Sequence, residues 1–286
     1  MAEVFQKGTL YLCPTPIGNL EDITYRTVRC LQSADVIAAE DTRHTKQLLE
    51  AYQIETPLTS YYEHNKLTKG PKLIERLQAG EMIALVSDAG MPAICDPGSD
   101  LVRLALQHSI RVVPLPGANA GLTGLIASGM DTTRFTFIGF LPKTKKHRIP
   151  VLRSLQEIKG TLIFYEAPHR LRTVLQEMQK ILGSRAVVIC RELTKRYEEY
   201  LRGTLDNVLE LFSEDTYKGE FVILIEGMQE TCGVHWTKED YIEKVQKLTE
   251  QGIKKKAAIR MVAIQLGVPK RDVYQATIQT ADYHKS

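Results

Sequence analysis

The stretch Met82-Ile-Ala-Leu-Val-Ser-Asp-Ala-Gly-Met-Pro-Ala-Ile-Cys-Asp-Pro-Gly98 decides the fold. Its first five residues are all apolar, the pattern of a strand buried on both faces, as in a parallel sheet covered by helices. Hydrogen-bonding residues follow at once, at the position where α/β sheets meet their ligands, beyond the carboxyl ends of strands. Working outward, similar apolar runs occupy Thr9–Cys13, Val36–Ala39, Arg111–Val113 and Phe135–Gly139, with amphipathic stretches such as Thr42–Ala51 and Pro71–Gln78 between them. Strands that alternate with helices of this length indicate βαβ crossovers.

A second block begins after Pro142, where the basic stretch Lys143-Thr-Lys-Lys-His-Arg148 reads as a linker. Thr161–Tyr165, Ala186–Cys190 and Glu220–Ile225 are expected strands, and Tyr197–Arg202 a half-exposed, antiparallel one. Arg170–Leu182 is an expected helix, closed by Gly183. After Gly227 strands cease, and 238–279 reads as three short helices. There Ala258, Ile259, Val262, Ala263 and Leu266 would form one apolar face, Gly267 a turn and Val273 the contact of the next helix. Both a helix-turn-helix and a plain helical hairpin fit that layout. The expected architecture is therefore α/β, in three parts. These are an N-terminal α/β domain over 1–140 with a mostly parallel sheet, a second α/β domain over 141–228 with a mixed sheet, and a small helical C-terminal extension over 229–286.

With 43% hydrophobic and 25% charged residues in 286, the chain has ordinary globular composition. No apolar run reaches the roughly 18 residues that span a bilayer. The N-terminal apolar stretch is too short for a signal peptide, so a cytoplasmic protein without membrane partners is expected. Cys13, Cys30, Cys95, Cys190 and Cys232 are odd in number, widely spaced and free of CxxC pairs, which argues against a disulfide framework or a metal centre. Cys13 and Cys190 read as small buried hydrophobes. Residues 231–286 carry ten Lys/Arg against six Asp/Glu, and the remainder 27 against 28. Such a tail suits either contact with nucleic acid or a solvated helical surface.

Several strand ends carry loops with chemical potential. In Pro14–Leu20, Gly18 permits close backbone approach. In Glu40-Asp-Thr-Arg43, Thr42 would cap the next helix and leave Asp41 or Arg43 to face a ligand. Ser87–Gly90 sets a carboxylate directly after a buried strand. Leu115–Gly121 opens a helix with small residues against which a flat ligand could lie. In the second block Tyr165–Arg170, Cys190–Lys195 and Lys218–Phe221 again place polar groups at the ends of apolar strands, as in a site facing the first domain. GxGxxG at the first strand and the Walker A pattern are both absent.

These loops, in this order, resemble the class III S-adenosylmethionine-dependent methyltransferases, the tetrapyrrole methylase superfamily, and within it the RsmI-type ribosomal small-subunit methyltransferases. The residues that carry the resemblance are TPIGNLEDIT (15–24), AEDTRHT (39–45), SDAGMPAICDPG (87–98), PGANA (116–120), FIGFLP (137–142), EAPHR (166–170), CRELTK (190–195) and KGEFV (218–222). The superfamily's corrin and porphyrin enzymes place a Gly-Gly-Asp-Pro type sequence where this chain has Ser87–Gly90. Only the aspartate is shared, which favours the RNA branch. The resemblance implies a homodimer that methylates the 2′-hydroxyl of a cytidine in small-subunit ribosomal RNA, with free RNA or the assembled subunit as partner.

S-adenosylmethionine is the implied cofactor, held by Pro16, Ser87, Asp88, Ala89, Gly90, Ala118 and Asn119 of the first domain and Tyr165, Glu166, Leu193, Glu220 and Phe221 of the second. A ribose hydroxyl is a poor nucleophile and needs a base or a polarising cation. Glu192, Lys195 and Glu166 are the catalytic candidates, with Asp41 and His169 behind them. Arg43, Arg170, Arg191, Lys145 and Lys146 are candidates to hold RNA phosphates. Two rival readings are a small-molecule methylase acting on a tetrapyrrole or corrin, and a non-enzymatic nucleic-acid-binding protein.

Overall fold

A computed structural model describes residues 5–212, 218–229, 237–266 and 270–278, apart from the side chains of Ile264, Gln265 and Ile278. Cys232 and the turn expected at Gly267 lie outside the described residues. The chain divides into two compact units, Met1–Met228 and Gln229–Ser286.

The larger unit holds two five-stranded sheets. The first comprises β1 (Thr9–Leu12), β2 (Val36–Ala39), β3 (Leu58–Ser60), β4 (Ile83–Val86) and β5 (Arg111–Pro114), in the order β3-β2-β4-β1-β5. Every pairing in it is parallel. Along β4 the side chains divide between two cores: Ile83 and Leu85 pack with Leu73, Leu77 and Leu101, while Ala84 and Val86 pack with Tyr11, Leu31 and Leu49. Burial on both faces is why the strand reads as an unbroken apolar run. Its flanking helices are α1 (Tyr25–Ser33), α2 (Thr42–Ala51), α3 (Lys66–Gln78) and α4 (Gly98–Gln107). Helix α3 starts five residues before the expected Pro71, which it carries in its interior.

Helix α5 (Ala120–Ser128) leads to the second sheet: β6 (Phe135–Phe140), β7 (Thr161–Glu166), β8 (Ala186–Arg191), β9 (Glu199–Thr204) and β10 (Phe221–Ile225), ordered β6-β7-β10-β8-β9. Only β6 and β7 run parallel, so this sheet is mixed. Because β6 pairs with β7, the change of sheet falls before Phe135 and not at residue 140. On one face, Phe221, Ile223 and Ile225 join Phe164 and the helix α7 (Pro168–Leu182). On the other, Val222 and Leu224 meet Leu125 of α5.

One local expectation is corrected. The basic stretch at 143–148 is no free linker, because Lys145 opens helix α6 (Lys145–Ser154) and Arg148 is buried. Its guanidinium grips the carboxylate of Glu177 at 2.5 and 3.0 Å and donates to the carbonyls of Pro142 and Lys143. Glycines in α5 also let this helix pack closely on the second sheet. A Cβ at Gly124 would stand 3.2 Å from Cys190 Sγ, and one at Gly121 3.3 Å from the Tyr165 hydroxyl.

The smaller unit is a three-helix cluster of α9 (Lys238–Glu250), α10 (Lys255–Leu266) and α11 (Lys270–Ile278), the label α8 belonging to Leu205–Leu211 in the larger unit. Ala258, Ile259, Val262 and Ala263 pack against Val245 and Val273, as the sequence pattern requires.

Candidate active site

The strand-end loops of both sheets converge on a cavity of about 470 Å³, within the size range of small-molecule sites. Ser87, Asp88, Ala89, Gly90, Asn119, Tyr165, Glu166, Leu193, Glu220 and Phe221 all line it. Pro16 instead lines a neighbouring cavity, and Ala118 lies beside Gly90, its carbonyl 3.3 Å from where a Cβ there would sit.

Local chemistry fixes each loop. Thr15 and Gly90 exchange backbone hydrogen bonds of 2.9 and 3.1 Å, which fasten the first loop to the third. Gly90 has φ +77°, a conformation that glycine adopts without strain. Asp88 Oδ1 accepts the Asp41 N–H at 2.9 Å and so ties the β4 loop to the β2 loop. Asp41, not Thr42, caps α2: it accepts the Arg43 N–H at 2.8 Å and pairs with the Arg43 guanidinium. That pairing holds the Asp41 carboxyl far below the usual range. Asn119 caps α5 by accepting the Leu122 N–H at 2.9 Å. Tyr165, packed edge-on against Phe137 and Phe140, accepts the Gly121 N–H at 3.0 Å and so joins β7 to α5.

The cavity wall contains five carboxylates, Glu40, Asp88, Asp96, Glu166 and Glu220, and no lysine or arginine among the described residues. Glu40 and Asp96 are absent from the sequence-based site, Asp96 because a turn explains an Asp-Pro-Gly so readily. Asp96 Oδ1 does accept the N–H groups of Ala93 and Gly98, but its Oδ2 is buried without a partner. Burial, then the nearby Asp88 and Asp96, push the Glu40 carboxyl up. Glu166 is 2% exposed. Its Oε1 accepts the Ala167 N–H and faces Arg170 at 3.4 Å, while its Oε2 has no partner. Burial raises its pKa, outweighing the Ala167 bond and the arginines.

A raised carboxyl favours the folded state most when protonated, so this group's contribution is greatest below 4.5, its ordinary value, and declines as pH rises through the folded value. Glu166→Gln is therefore expected to match the parent in thermal midpoint at acidic pH and to exceed it near neutrality. Parallel melting curves across that range would contradict the unpaired oxygen.

At the rim, Lys195 Nζ donates to Glu192 Oε1 at 3.0 Å and to Glu220 Oε2 at 2.9 Å, and the Glu220 N–H also meets Glu192 Oε1. Burial opposes the charge on Glu192, but Lys195 and the Glu220 N–H outweigh it and lower its pKa. Burial likewise opposes the charge on Lys195, and its two carboxylates overcome that and raise its pKa. Lys195 is thus a fixed cation, not a neutral amine. A Cβ at Gly18 would stand 2.4 Å from the Lys195 stem, so the first loop lies flush on this cluster. Glu192 and Thr194 in the β8 loop, and Ala93 and Cys95 in the β4 loop, have positive φ. Four of the six such non-glycine positions among the described residues thus flank the cavity, and strain of this kind gathers at functional sites.

The candidates for phosphate contact separate. Arg170 donates to the carbonyls of Leu141 and Pro142, and Arg191 to that of Lys218, so both are spent internally. Arg43, Lys145 and Lys146 are exposed, as is His169 in the first turn of α7.

Two α/β lobes enclosing a cavity at their strand ends define a methylase-type fold. The solved uroporphyrin-III C-methyltransferase of Thermus thermophilus shares it, with a TM-score of 0.56, 16% identity, and 77% of this chain and 94% of that one covered. A diphthine synthase structure aligns with a TM-score of 0.57 at 14% identity, covering 76% of this chain and 90% of that one. The family profile described as Tetrapyrrole (Corrin/Porphyrin) Methylases matches residues 9–209. The chain is 55% identical over 271 residues to the ribosomal RNA small subunit methyltransferase I of Halalkalibacterium halodurans and 50% identical over 273 to that of Bacillus subtilis, with 94% of each chain covered in both cases. The chain belongs to the tetrapyrrole methylase family, in its ribosomal RNA small subunit methyltransferase I group.

Proposed function

We propose that this protein transfers a methyl group from S-adenosylmethionine to the 2′-hydroxyl of a cytidine in small-subunit ribosomal RNA. The observation that carries the reading is the cavity wall, with carboxylates at five positions and no basic side chain among the described residues. It favours a cation such as a sulfonium that also bears an ammonium group, and it disfavours the carboxylate-rim chemistry of a tetrapyrrole. The likeness to ribosomal RNA methyltransferases over 94% of the chain supports the same acceptor class. A ribosomal substrate implies a cytoplasmic enzyme.

The residues present fit the cofactor. The orphaned oxygens of Glu166 and Asp96 await donors, and Gly90 lets the backbone approach closely. When bound, S-adenosylmethionine supplies a methyl carbon activated by the adjoining sulfonium. Ser87 to Gly90, Asn119, Tyr165, Glu166, Leu193, Glu220 and Phe221 hold it, and Glu166 accepts one of its N–H or O–H donors. Lys195, fixed by Glu192 and Glu220, polarises the ribose hydroxyl and eases loss of its proton. Lys195→Met is accordingly expected to cut methyl transfer about 10²- to 10³-fold, the size of losing one preorganised electrostatic contact, with cofactor affinity changed less than about threefold. Partial rescue by Lys195→Arg would separate charge from packing, and an equal loss of cofactor affinity would refute the assignment.

Exposed Arg43, Lys145 and Lys146 contact phosphates, and so does the basic smaller unit, whose Lys256, Arg260, Lys270 and Arg271 are exposed. A homodimer is supported by Leu122 and Ile126, one turn apart on α5 and 45% and 76% exposed. Incubation with methyl-labelled cofactor and either small ribosomal subunits or naked RNA tests the reading. Label in a ribose-methylated cytidine is expected, and label in no RNA would end the proposal.

A further inference from the structure

A second cavity, of about 240 Å³, shares Ser87 and Asp88 with the acidic one. We infer that it receives the unstacked base of the nucleotide being methylated. The inference rests on the RNA-methyltransferase reading and adds a place for the acceptor.

Adjacency is the first argument. Occupants of two cavities with a common wall lie side by side, as donor and acceptor must for in-line transfer. Size is the second, since 240 Å³ falls below the roughly 300–1,000 Å³ of sites for drug-sized ligands and suits one base better than a macrocycle. The lining is the third. Pro16, Leu20 and Leu48 offer apolar surface to a planar ring, and His44 and Gln47 stand one turn apart on α2. Both side chains are exposed, and neither makes a hydrogen bond among the described residues, although their neighbours Asp41, Arg43 and Lys46 are paired. A glutamine amide offers a donor and an acceptor side by side, the complement of the cytosine N3 and N4 edge, and imidazole can serve in either role. Asp88 on the shared wall can accept from a base amino group, which cytosine has and uracil lacks. Enzymes and modules that read single RNA nucleotides commonly take the base out of its stack in this way.

The test uses the full chain and the double variant His44→Ala with Gln47→Ala, both positions exposed on a helix that alanine favours. Three quantities are compared: calorimetric affinity for S-adenosylmethionine, kinetics of methylation of small ribosomal subunits, and binding of cytidine 5′-monophosphate and uridine 5′-monophosphate by saturation-transfer NMR. The inference expects cofactor affinity within about twofold of the parent and kcat/KM for subunits at least 30-fold lower, chiefly through KM. It also expects the parent to bind the cytidine nucleotide in preference to the uridine one, and the variant to lose that signal. Unchanged kinetics or unchanged nucleotide binding in the double variant overturns the pocket while leaving the methyltransferase reading intact. A parent protein that methylates no RNA overturns both.

Discussion

Asp88→Ala is expected to lower the affinity for S-adenosylmethionine at least a hundredfold, about 2.8 kcal/mol at 1.4 kcal/mol per decade. The side chain borders both cavities. One oxygen already accepts the Asp41 N–H, so two roles have to be separated: a charge facing a cationic ligand, and a brace between two loops. Asp88→Asn keeps an acceptor for the Asp41 amide and removes the charge. If the charge dominates, the asparagine variant falls nearly as far as alanine in a calorimetric titration, and both weaken further with added salt less steeply than the parent. If the brace dominates, asparagine stays close to the parent. An alanine variant that binds as tightly as the parent would remove Asp88 from the site altogether.

The largest stability effect is expected at Arg148. Its side chain is 6% exposed and that of Glu177 10%, and their two contacts form a fork-to-fork pair. The hydrogen bonds with Glu177 raise the Arg148 pKa. Arg148→Ala leaves the Glu177 carboxylate buried without its cation, which costs about 3–5 kcal/mol. The same change frees the carbonyls of Pro142 and Lys143, to which Arg148 donates at 3.1 and 2.9 Å. Against a typical total of 5–15 kcal/mol, the variant should unfold at markedly lower denaturant. Pairing Arg148→Met with Glu177→Leu should recover the part of the loss due to the buried lone carboxylate, because a matched apolar pair needs no charge compensation, while the two freed carbonyls keep their cost. A single variant within about 1 kcal/mol of the parent would show that Glu177 is satisfied by other means.

Much of the larger unit was legible because its strands are buried on both faces. Val36–Ala39 and Ile83–Val86 have no polar residue to blur the signal, and each β10 residue packs on one core or the other. Where burial is partial the signal fades. β3 is three half-buried residues, Leu58–Ser60, with nothing in their pattern to mark a strand. The pairing of Phe135–Phe140 with β7 was hidden for another reason, since an apolar run does not say which sheet it joins. Arg148 misled because charge implies exposure unless a partner is known, and its partner lies 29 residues on. The loops that build the cavity stood out as motifs, but the acidic character of its wall needed Glu40, Asp96 and Glu166 brought together from three strand ends. The left-handed turns at Glu192 and Thr194 carry no glycine to announce them.

The interior place of β1, between β4 and β5 in an all-parallel sheet, has a bearing on biosynthesis. Leu10 pairs with Ile83 and Thr9 with Arg111, so the earliest strand to leave the exit tunnel has no permanent neighbour until some seventy to a hundred further residues have been synthesised. Nascent chains in that interval carry an apolar segment with open edges, and closing such long loops is slow. Vectorial folding of this sheet can therefore be completed only after Pro114 emerges.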